Sequence, residues 1–386
     1  MKKIIIATVA LAGISVTAQE KEERILDNIL NQTNINLLLR SSYEMALSEN
    51  SEGSFRLNEA RLDIGGKIVE NLNYRVRYRL NRPQDPNSVD NAPSALDYAM
   101  LEYTFGNDNK WQVNIGKQAN DFGSWEFEKN PTFEYVYSDY INQQQNIFMV
   151  GGRLSYQANE NNSFRVQAYN TMNTKFADLY ATTQYAQNNL KAAKAPIGLN
   201  FTWRGDFFDK KFQTYYSTGF SHVAANKTNY QFALGNKVVM DKWEAYFDLQ
   251  QTNMAVDFVN MISPAINTYR LAMNPAYTNM YAENIQFQSA VLRVDYAITP
   301  NWYITGKTIF ERINDRNDNG LGKNMSSHNT NMFGVEYKPF RTQDFKMFGY
   351  FSNTNRKYNS TLGEYASVAT PKNMIGIGML YYVKAL

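Results

Sequence analysis

Residues 72–82 read LNYRVRYRLNR, with arginine at every second position from Arg75 to Arg79. Successive side chains of a β-strand point to opposite faces. Arg75, Arg77 and Arg79 therefore share one face, and the apolar and aromatic residues between them share the other. A strand of this kind separates water from a non-polar phase. The stretch therefore predicts a β-strand with one polar and one apolar face.

The same alternation recurs along most of the sequence. It is clear at residues 111–115, 243–249 and 375–383, where the interleaved residues are mostly amides, Gly, Thr or charged. Most such segments are close to the roughly 9–11 residues that a tilted strand needs to cross a bilayer. We predict sixteen strands, at residues 35–47, 54–68, 72–82, 94–106, 110–118, 147–157, 162–173, 196–205, 211–224, 228–240, 242–258, 285–298, 301–313, 329–339, 345–354 and 373–384.

Composition and charge exclude several classes of protein. The 386 residues include no cysteine, and the formal charge of +3 falls to +1 (3 − 2) once Lys2 and Lys3 are removed. A thiolate metal site and a nucleic-acid-binding surface are therefore not expected. Aromatic residues make up 14% of the chain, yet no stretch after residue 16 reaches the roughly 18 apolar residues of a spanning helix. An exported all-β protein remains, either a soluble sandwich or an outer-membrane barrel.

The N-terminus has the features of a secretory signal. Lys2 and Lys3 precede an apolar run at residues 4–16, and the small residues up to Ala18 provide a cleavage site without a cysteine, which excludes a lipoprotein. We predict a signal peptide at residues 1–18 and an N-terminal periplasmic segment at 19–34, either a short helix or a mobile tail. The barrel follows at 35–386.

The connections favour the membrane barrel over the sandwich. Short turns, such as Glu70-Asn71 and Thr299-Pro300, alternate with connections that are usually much longer, such as residues 119–146 and 259–284. Outer-membrane barrels have short periplasmic turns and long extracellular loops. The sequence therefore predicts a transmembrane antiparallel β-barrel of about sixteen strands.

Two further features agree with a barrel. Four of the five tryptophans, Trp111, Trp203, Trp243 and Trp302, lie beside short turns, where an aromatic girdle would meet the membrane interface, whereas Trp125 lies in a long connection. The last strand, with Gly378 followed by spaced apolar residues, resembles the C-terminal signal read by barrel-assembly machinery. That machinery is therefore an expected partner during biogenesis, and the outer-membrane lipid is an expected partner afterwards.

A barrel of sixteen strands is too wide for side chains to fill, so we expect a water-filled lumen lined by polar residues. Alternate residues lie about 6.6–7 Å apart, within the screening length of about 8 Å, so the arginine row needs mobile anions or fixed carboxylates beside it. The second strand changes phase between Leu57 and Ala60, which predicts a β-bulge. The candidate pore-lining, anion-guiding residues are Arg61, Arg75, Arg77, Arg79, Arg165, Arg204 and Arg293.

The longest connection, residues 119–146, is the candidate for a loop that folds into the lumen. It carries five acids against the single base Lys129, a net charge of −4 (1 − 5). Facing an arginine wall, these acids would create a transverse field across a constriction. In the alternative, the loop extends outward and its acids are solvated. The candidate constriction acids are Asp121, Glu126, Glu128, Glu134 and Asp139.

Three segments resemble the phosphate-selective porin family of the porin O and P type, in its divergent Bacteroidetes-like form. They are FRLNEARL at residues 55–62, LDYAMLEY at 96–103 and GKQANDFG at 116–123. The resemblance implies a trimeric porin of sixteen strands in which an arginine ladder guides phosphate-like anions to a lysine-bearing constriction. Asn58 and Glu59 replace arginines of the family motif, and Ala119 replaces its lysine.

We therefore expect a passive outer-membrane porin for small hydrophilic solutes, with a preference for anions or phosphate as the finer hypothesis. The expected assembly is a homotrimer, without a cofactor, a metal site or a nucleic-acid partner. The alternatives are an adhesin or other surface-binding barrel that uses its Tyr- and Asn-rich loops, and a barrel hydrolase. His222 and His328, the two histidines, belong to no recognisable nucleophile motif.

Overall fold

The computed structural model describes residues 29–47, 52–86, 89–144, 147–180, 190–316, 320–340, 344–365 and 372–384. The predicted signal peptide and most of the predicted segment at 19–34 lie outside these residues. Sixteen strands account for most of the described chain. They are β1 Thr33–Ala46, β2 Gly53–Val69, β3 Leu72–Arg79, β4 Leu96–Phe105, β5 Trp111–Ala119, β6 Phe148–Asn159, β7 Asn162–Asn170, β8 Ile197–Phe207, β9 Phe212–Ala224, β10 Lys227–Val239, β11 Trp243–Val256, β12 Glu283–Ala297, β13 Trp302–Asp315, β14 Ser326–Tyr337, β15 Asp344–Tyr358 and β16 Lys372–Lys384.

The strands form one closed antiparallel barrel. Each strand pairs with its sequence neighbours, and β1 pairs with β16, from Asn36 opposite Lys384 to Ala46 opposite Met374. Closure leaves no strand edge unpaired, as a barrel in hydrocarbon requires. The predicted barrel and its number of strands are confirmed.

The predicted irregularity in β2 is also confirmed. Arg40 pairs with Glu59, but the next residue of β1, Ser41, pairs with Leu57, so Asn58 has no partner across the ladder. An extra residue of this kind is a β-bulge, and it explains why the apolar phase of β2 changes. Below the bulge, Arg61 lies on the inner face.

Within the described residues, the connections contain four α-helices. They are α1 Trp125–Phe133, α2 Phe176–Tyr180, α3 Ser263–Met273 and α4 Ser360–Gly363. A π-helical turn spans Tyr140–Gln144. None of the described helices combines the length and the apolar character needed to cross a membrane.

The two ends of the barrel differ. At one end, which we call the turn end, short turns join each even-numbered strand to the strand that follows it, from β2 and β3 to β14 and β15. At the other, the loop end, most connections are long. The one between β5 and β6, residues 120–147, folds back among the inner faces of the strands as predicted. We call it the inward loop.

An aromatic girdle surrounds the turn end. Each of the four tryptophans beside a short turn lies opposite a tyrosine of the next strand: Trp111 opposite Tyr156, Trp203 opposite Tyr216, Trp243 opposite Tyr296 and Trp302 opposite Tyr337. Ring centroids in these pairs are 4.3–5.4 Å apart. The pairs mark the level of one membrane interface.

Candidate functional site

The start of the inward loop is held by the wall of β7 to β9. The buried Asp121 carboxylate accepts a hydrogen bond from the Tyr215 hydroxyl at 2.8 Å and lies 3.4 Å from Arg165 and 3.6 Å from Arg204. Burial raises the pKa of Asp121, but Arg165, Arg204 and Arg153 outweigh this effect and hold the pKa below its ordinary value. The carboxylate is therefore ionised at neutral pH.

Asp248 on β11 caps helix α1 from across the barrel. Its carboxylate accepts hydrogen bonds from the Ser124 hydroxyl at 3.2 Å and from the backbone N–H groups of Trp125 at 3.1 Å and Glu126 at 2.9 Å. The first N–H groups of a helix have no partner within the helix, and a carboxylate there also complements the helix dipole. Ser124 Oγ of the loop also accepts a hydrogen bond from the Phe127 N–H at 3.3 Å, so the wall and the loop both cap the helix.

Lys307 on β13 lies at the centre of the contact between loop and wall. Its Nζ is 2.7 Å from both Glu126 Oε1 and Glu134 Oε2, and all three side chains are fully buried. Arg293 on β12 lies 3.0 Å from Glu134. Burial raises the pKa of Glu134, but Arg293 and Lys307 outweigh it, so the pKa is lower than usual. These two acids and two bases are buried together, and Arg293 also pairs with Asp295 at 2.9 Å, which extends the network along β12.

The middle of the inward loop reaches β1, β14 and β15, close to the place where the first and last strands pair. Arg40 on β1 donates to the Glu134 carbonyl oxygen at 2.8 Å. The Tyr135 hydroxyl donates to Glu336 on β14 at 2.5 Å, and Lys346 on β15 lies 2.7 Å from the same carboxylate. These contacts attach the loop to strands that are distant from β5 and β6 in the sequence.

The end of the inward loop is anchored near the loop end of β13 to β15. Asp139 lies 2.6 Å from His328 Nδ1 and 3.0 Å from Arg356. Asp139, His328 and Glu311 have one ligand atom each within 4.8 Å of one another, a spacing that could hold a metal ion. Glu311, however, accepts the backbone N–H groups of Asp139 and Tyr140, and the Arg356 guanidinium already neutralises Asp139. We interpret the group as an ion-paired anchor.

An apolar core covers the loop-end side of these ion pairs. Ile266 of helix α3 and Ile262, just before the helix, are buried in one cluster with Ile285 and Ile313 of the wall, and Tyr140 of the inward loop belongs to the same cluster. The buried Asp257 carboxylate orients this connection by accepting the N–H groups of residues 261–263. Long connections therefore fill part of the lumen on the side of β11 to β14.

The arginine row faces fixed carboxylates. Arg75 lies 2.6 Å from Asp63, whereas Arg77, Arg79 and Arg61 lie 3.0, 2.8 and 3.6 Å from Asp97. Arg61 also lies 2.7 Å from Glu59 on its own strand. Fixed acids therefore meet the electrostatic requirement of the row, one of the two solutions that the sequence left open.

Aromatic rings separate the guanidinium groups. The Tyr98 ring lies 4.2 Å from Arg75 and 4.5 Å from Arg77, and the Phe148 ring lies 5.2 Å from Arg77 and 5.5 Å from Arg79. Each ring presents its negative face to cations and reduces their mutual repulsion.

The acids of the inward loop form ion pairs with bases of several wall strands. Asp121 and Glu128 pair with Arg204, Glu126 and Glu134 with Lys307, and Asp139 with Arg356. Arg165 and Arg293, two further candidate pore-lining arginines, also lie beside Asp121 and Glu134. A transverse field between the loop acids and the row at residues 75–79 stays a prediction.

Polar contacts connect the inward loop to β1, to β7–β9 and to β11–β15, whereas its contact with β6 is aromatic, with the Phe127 and Phe148 rings 6.2 Å apart. Toward the turn end, an open recess follows the opposite wall. Among its lining residues are Asn34, Lys67, Asn73, Arg75 and Glu102. Solutes therefore have room along the wall that carries Arg75.

Sequence reasoning named the seven arginines and five acids but missed most of their partners. The missed partners are Glu59, Asp63, Asp97, Tyr98, Arg153 and Lys307. For Asp63 and Lys307, the strand period alone indicated an inward position. No signal in the sequence showed which acid each base would meet.

Both the sequence and the fold are similar to those of known proteins. A family model described as phosphate-selective porin O and P matches residues 41–383. No curated protein matches the chain.

Solved structures share the fold at low identity. The outer membrane channel DcaP of Acinetobacter baumannii is 13% identical, with 91% of this chain and 97% of that chain covered and a TM-score of 0.62. OmpT of Vibrio cholerae is 12% identical, with the same coverage and a TM-score of 0.56. Salmonella typhi OmpF, in a complex with daunomycin, is 13% identical, with the same coverage and a TM-score of 0.55.

These likenesses show the fold, and the family match over nearly the whole chain shows the kind of protein. Together they indicate that the protein is a channel of the Gram-negative outer membrane rather than an enzyme. The chain belongs to the phosphate-selective porin O and P family.

Proposed function

We propose that this channel conducts small hydrophilic solutes by passive diffusion and prefers anions modestly. It works as a homotrimer, a proposal supported by the trimer form of Vibrio cholerae OmpT. The anion preference is supported by the excess of positive charge along the wall that carries Arg75, which the inward loop leaves accessible.

Two groups of charges border this wall. The arginine row contains four bases, Arg61, Arg75, Arg77 and Arg79, against Glu59, Asp63 and Asp97, a net charge of +1 (4 − 3). The neighbouring group contains Arg153, Arg165 and Arg204 against Asp121 and Glu128, again +1 (3 − 2). A small excess of positive charge concentrates anions without holding them.

Exposure within these groups is uneven. The Arg75 side chain is 37% exposed and that of Arg165 is 23% exposed, whereas the side chains of Arg61 and Arg77 are buried. The Arg204 side chain is 22% exposed, so Arg75, Arg165 and Arg204 are the arginines of these groups that a passing solute would meet. The buried members fix the geometry of the wall.

Strict phosphate selectivity has less support. Each guanidinium of the row already binds a carboxylate, so a phosphate would have to compete with it. Ala119 stands where the family motif has lysine, and Lys307 is buried between Glu126 and Glu134. We infer a general pore with an anion bias.

The adhesin alternative has no specific support. The connection at residues 259–284, one of the two Tyr- and Asn-rich loops, packs α3 into the lumen through Ile262 and Ile266. Loops that recognise another surface project outward.

The reversal potential of the purified channel in a salt gradient across a planar bilayer tests the preference. Arg75→Gln and Arg165→Gln should each shift it toward cations. Lys242→Gln, at the exposed turn between β10 and β11, is the control that also removes one positive charge and should leave it unchanged. The anion preference fails if the potential of the wild-type channel is that of a non-selective pore.

A further inference from the structure

The outer face of the barrel changes chemistry toward the loop end. On β12, the outward residues run from Tyr296 in the aromatic girdle through Leu292 and Ala290 to Gln288 and Gln286. Tyr296 and Gln288 are eight residues apart, about 27 Å along the strand, or about 20 Å of height for a strand tilted by about 40°. The outward apolar band of such barrels is about 25 Å tall. Gln288 therefore lies close to the outer membrane interface.

Amide side chains also face outward on β11 and on β13 to β15, in a band that begins below Gln288, since the β13 partner of Asn331, Thr308, lies opposite Leu292. Cross-strand register places them side by side, with Gln251 opposite Gln288, Gln286 opposite Asn314 and Asn331 opposite Asn353. We call these six residues the amide belt: Gln251, Gln286, Gln288, Asn314, Asn331 and Asn353.

The amides of the belt are pre-arranged by hydrogen bonds. Gln288 Nε2 donates to Gln251 Oε1 at 2.7 Å, and Arg312 Nε donates to Gln288 Oε1 at 2.5 Å. The Thr308 hydroxyl donates to Asn331 Oδ1 at 2.9 Å. Because one donor and one acceptor of each amide remain available on average, the belt offers both kinds of group to a ligand rich in hydroxyls.

The belt is cationic. Arg312 on β13 and Lys357 on β15 point outward at or above its level and are exposed. Among the described residues of β11 to β15, the outward positions at and above this level include no aspartate or glutamate. A surface with arginine, lysine and amides favours phosphates and sugar hydroxyls.

A shallow apolar groove lies directly below. It is lined by the exposed side chains of Phe232, Leu234, Leu249 and Phe310, and Ala290 forms its floor; Gln251, Gln288 and Arg312 border the same groove. A ligand that fills both parts needs an acyl chain below and a phosphorylated, hydroxyl-rich head above.

We propose that the amide belt, Arg312 and the groove bind a phosphorylated glycolipid of the outer leaflet, with its phosphate on Arg312 and its acyl chain in the groove. The charge of Arg312 and Lys357 and the depth of the groove below the interface select this occupant over a neutral phospholipid. The bound lipid would close the space between the barrel and the surrounding leaflet.

Native mass spectrometry of the full-length protein in detergent tests the site, with bisphosphorylated lipid A as the probe and the same lipid without phosphates as the comparison. Wild-type protein should retain the phosphorylated lipid. Arg312→Gln should weaken binding about tenfold, the range expected for losing a charge-assisted hydrogen bond. Lys242→Gln, at the turn end, is the matched control and should bind as the wild type does.

A second variant, Ala290→Phe, fills the groove and should weaken binding without any change of charge. Migration of unheated protein on a denaturing gel verifies that each variant is a folded barrel. Equal retention of both lipids, or equal binding by Arg312→Gln and the wild type, overturns the proposal. Loss of the oligomer in Arg312→Gln with unchanged lipid binding would identify a subunit contact and would also overturn it.

Discussion

Lys307 of β13 and Glu134 of the inward loop lie 2.7 Å apart, and neither side chain is exposed. They are 173 residues apart in the sequence. Glu126 lies at the same distance from Lys307, so one ammonium group compensates two buried carboxylates together with Arg293. The position of the inward loop in the lumen therefore depends on a charge balance supplied by the opposite wall.

Lys307→Met should release the inward loop. Removing one partner of a buried ion pair leaves an uncompensated charge and typically costs about 3–5 kcal/mol. We expect faster tryptic cleavage at Lys129, which α1 carries, and a noisier open-channel current. Lys110→Met, at an exposed turn, is the control. Adding Glu134→Gln to Lys307→Met should restore part of the protection, and equal cleavage of all variants would contradict the role of Lys307.

The loop should hold its place on mild acidification. Arg293 and Lys307 outweigh burial and keep the pKa of Glu134 below 4.5, and the arginines near Asp121 likewise keep its pKa below 3.8. A lowered pKa means that the stabilisation is complete above the unfolded-state pKa and is lost as pH falls through the folded-state pKa. Open-channel noise should therefore stay constant from about pH 7 to pH 5 and rise below about pH 4. If the noise rises between pH 7 and pH 5, groups other than Glu134 and Asp121 hold the loop in place.

Asp248→Ala should loosen the start of α1. It removes the acceptor for Ser124, Trp125 and Glu126 and leaves buried donors unsatisfied, at about 1–3 kcal/mol for each donor that water does not reach. Asp248→Asn keeps one acceptor oxygen and should have a smaller effect. Hydrogen exchange of the amides at residues 124–128 measures the difference. Equal protection in the wild type and Asp248→Ala would show that the helix does not need this cap.

Phe148→Ala should widen the conducting path. Phe148 contacts Phe127 of the inward loop and lies beside Arg77 and Arg79, so its ring bridges the loop and the arginine row. We expect a higher single-channel conductance and faster swelling of liposomes in larger sugars. Phe164→Ala removes a ring that is 50% exposed on an outward-facing position of β7 and serves as the control. Unchanged conductance in a folded Phe148→Ala channel would place the path elsewhere.

Much of the barrel followed from local rules. Strand period is a property of each residue and its neighbours, so Arg75, Arg77 and Arg79 could be assigned to one face and the tryptophans to the turn end without knowledge of the fold. The bulge at Asn58 was visible for the same reason, as a change of phase within one strand. The choice between sandwich and barrel rested on the lengths of the connections, which are also local.

Partners of charged residues could not be derived in this way. Asp97 is present in the sequence of β4, but three arginines share it as an ion-pair partner. That role can be recognised only when the register of β2, β3 and β4 is known. Glu134 was identified as a loop acid, and nothing near it in the sequence indicated Lys307. The loop acids were expected to face an arginine wall, but the base that each acid pairs with could not be derived, because proximity in sequence does not order a loop in a lumen.

By itself, the sequence determined a closed, two-faced barrel, since the alternation of side chains and the closure of every backbone hydrogen bond follow from strand geometry in a membrane. Only the tertiary structure decided how the lumen is divided. Buried charges take the arrangement that leaves none uncompensated, and that arrangement joins residues from opposite walls. The inward loop therefore lies against Lys307 and Arg293, and the Arg75 side chain remains partly exposed.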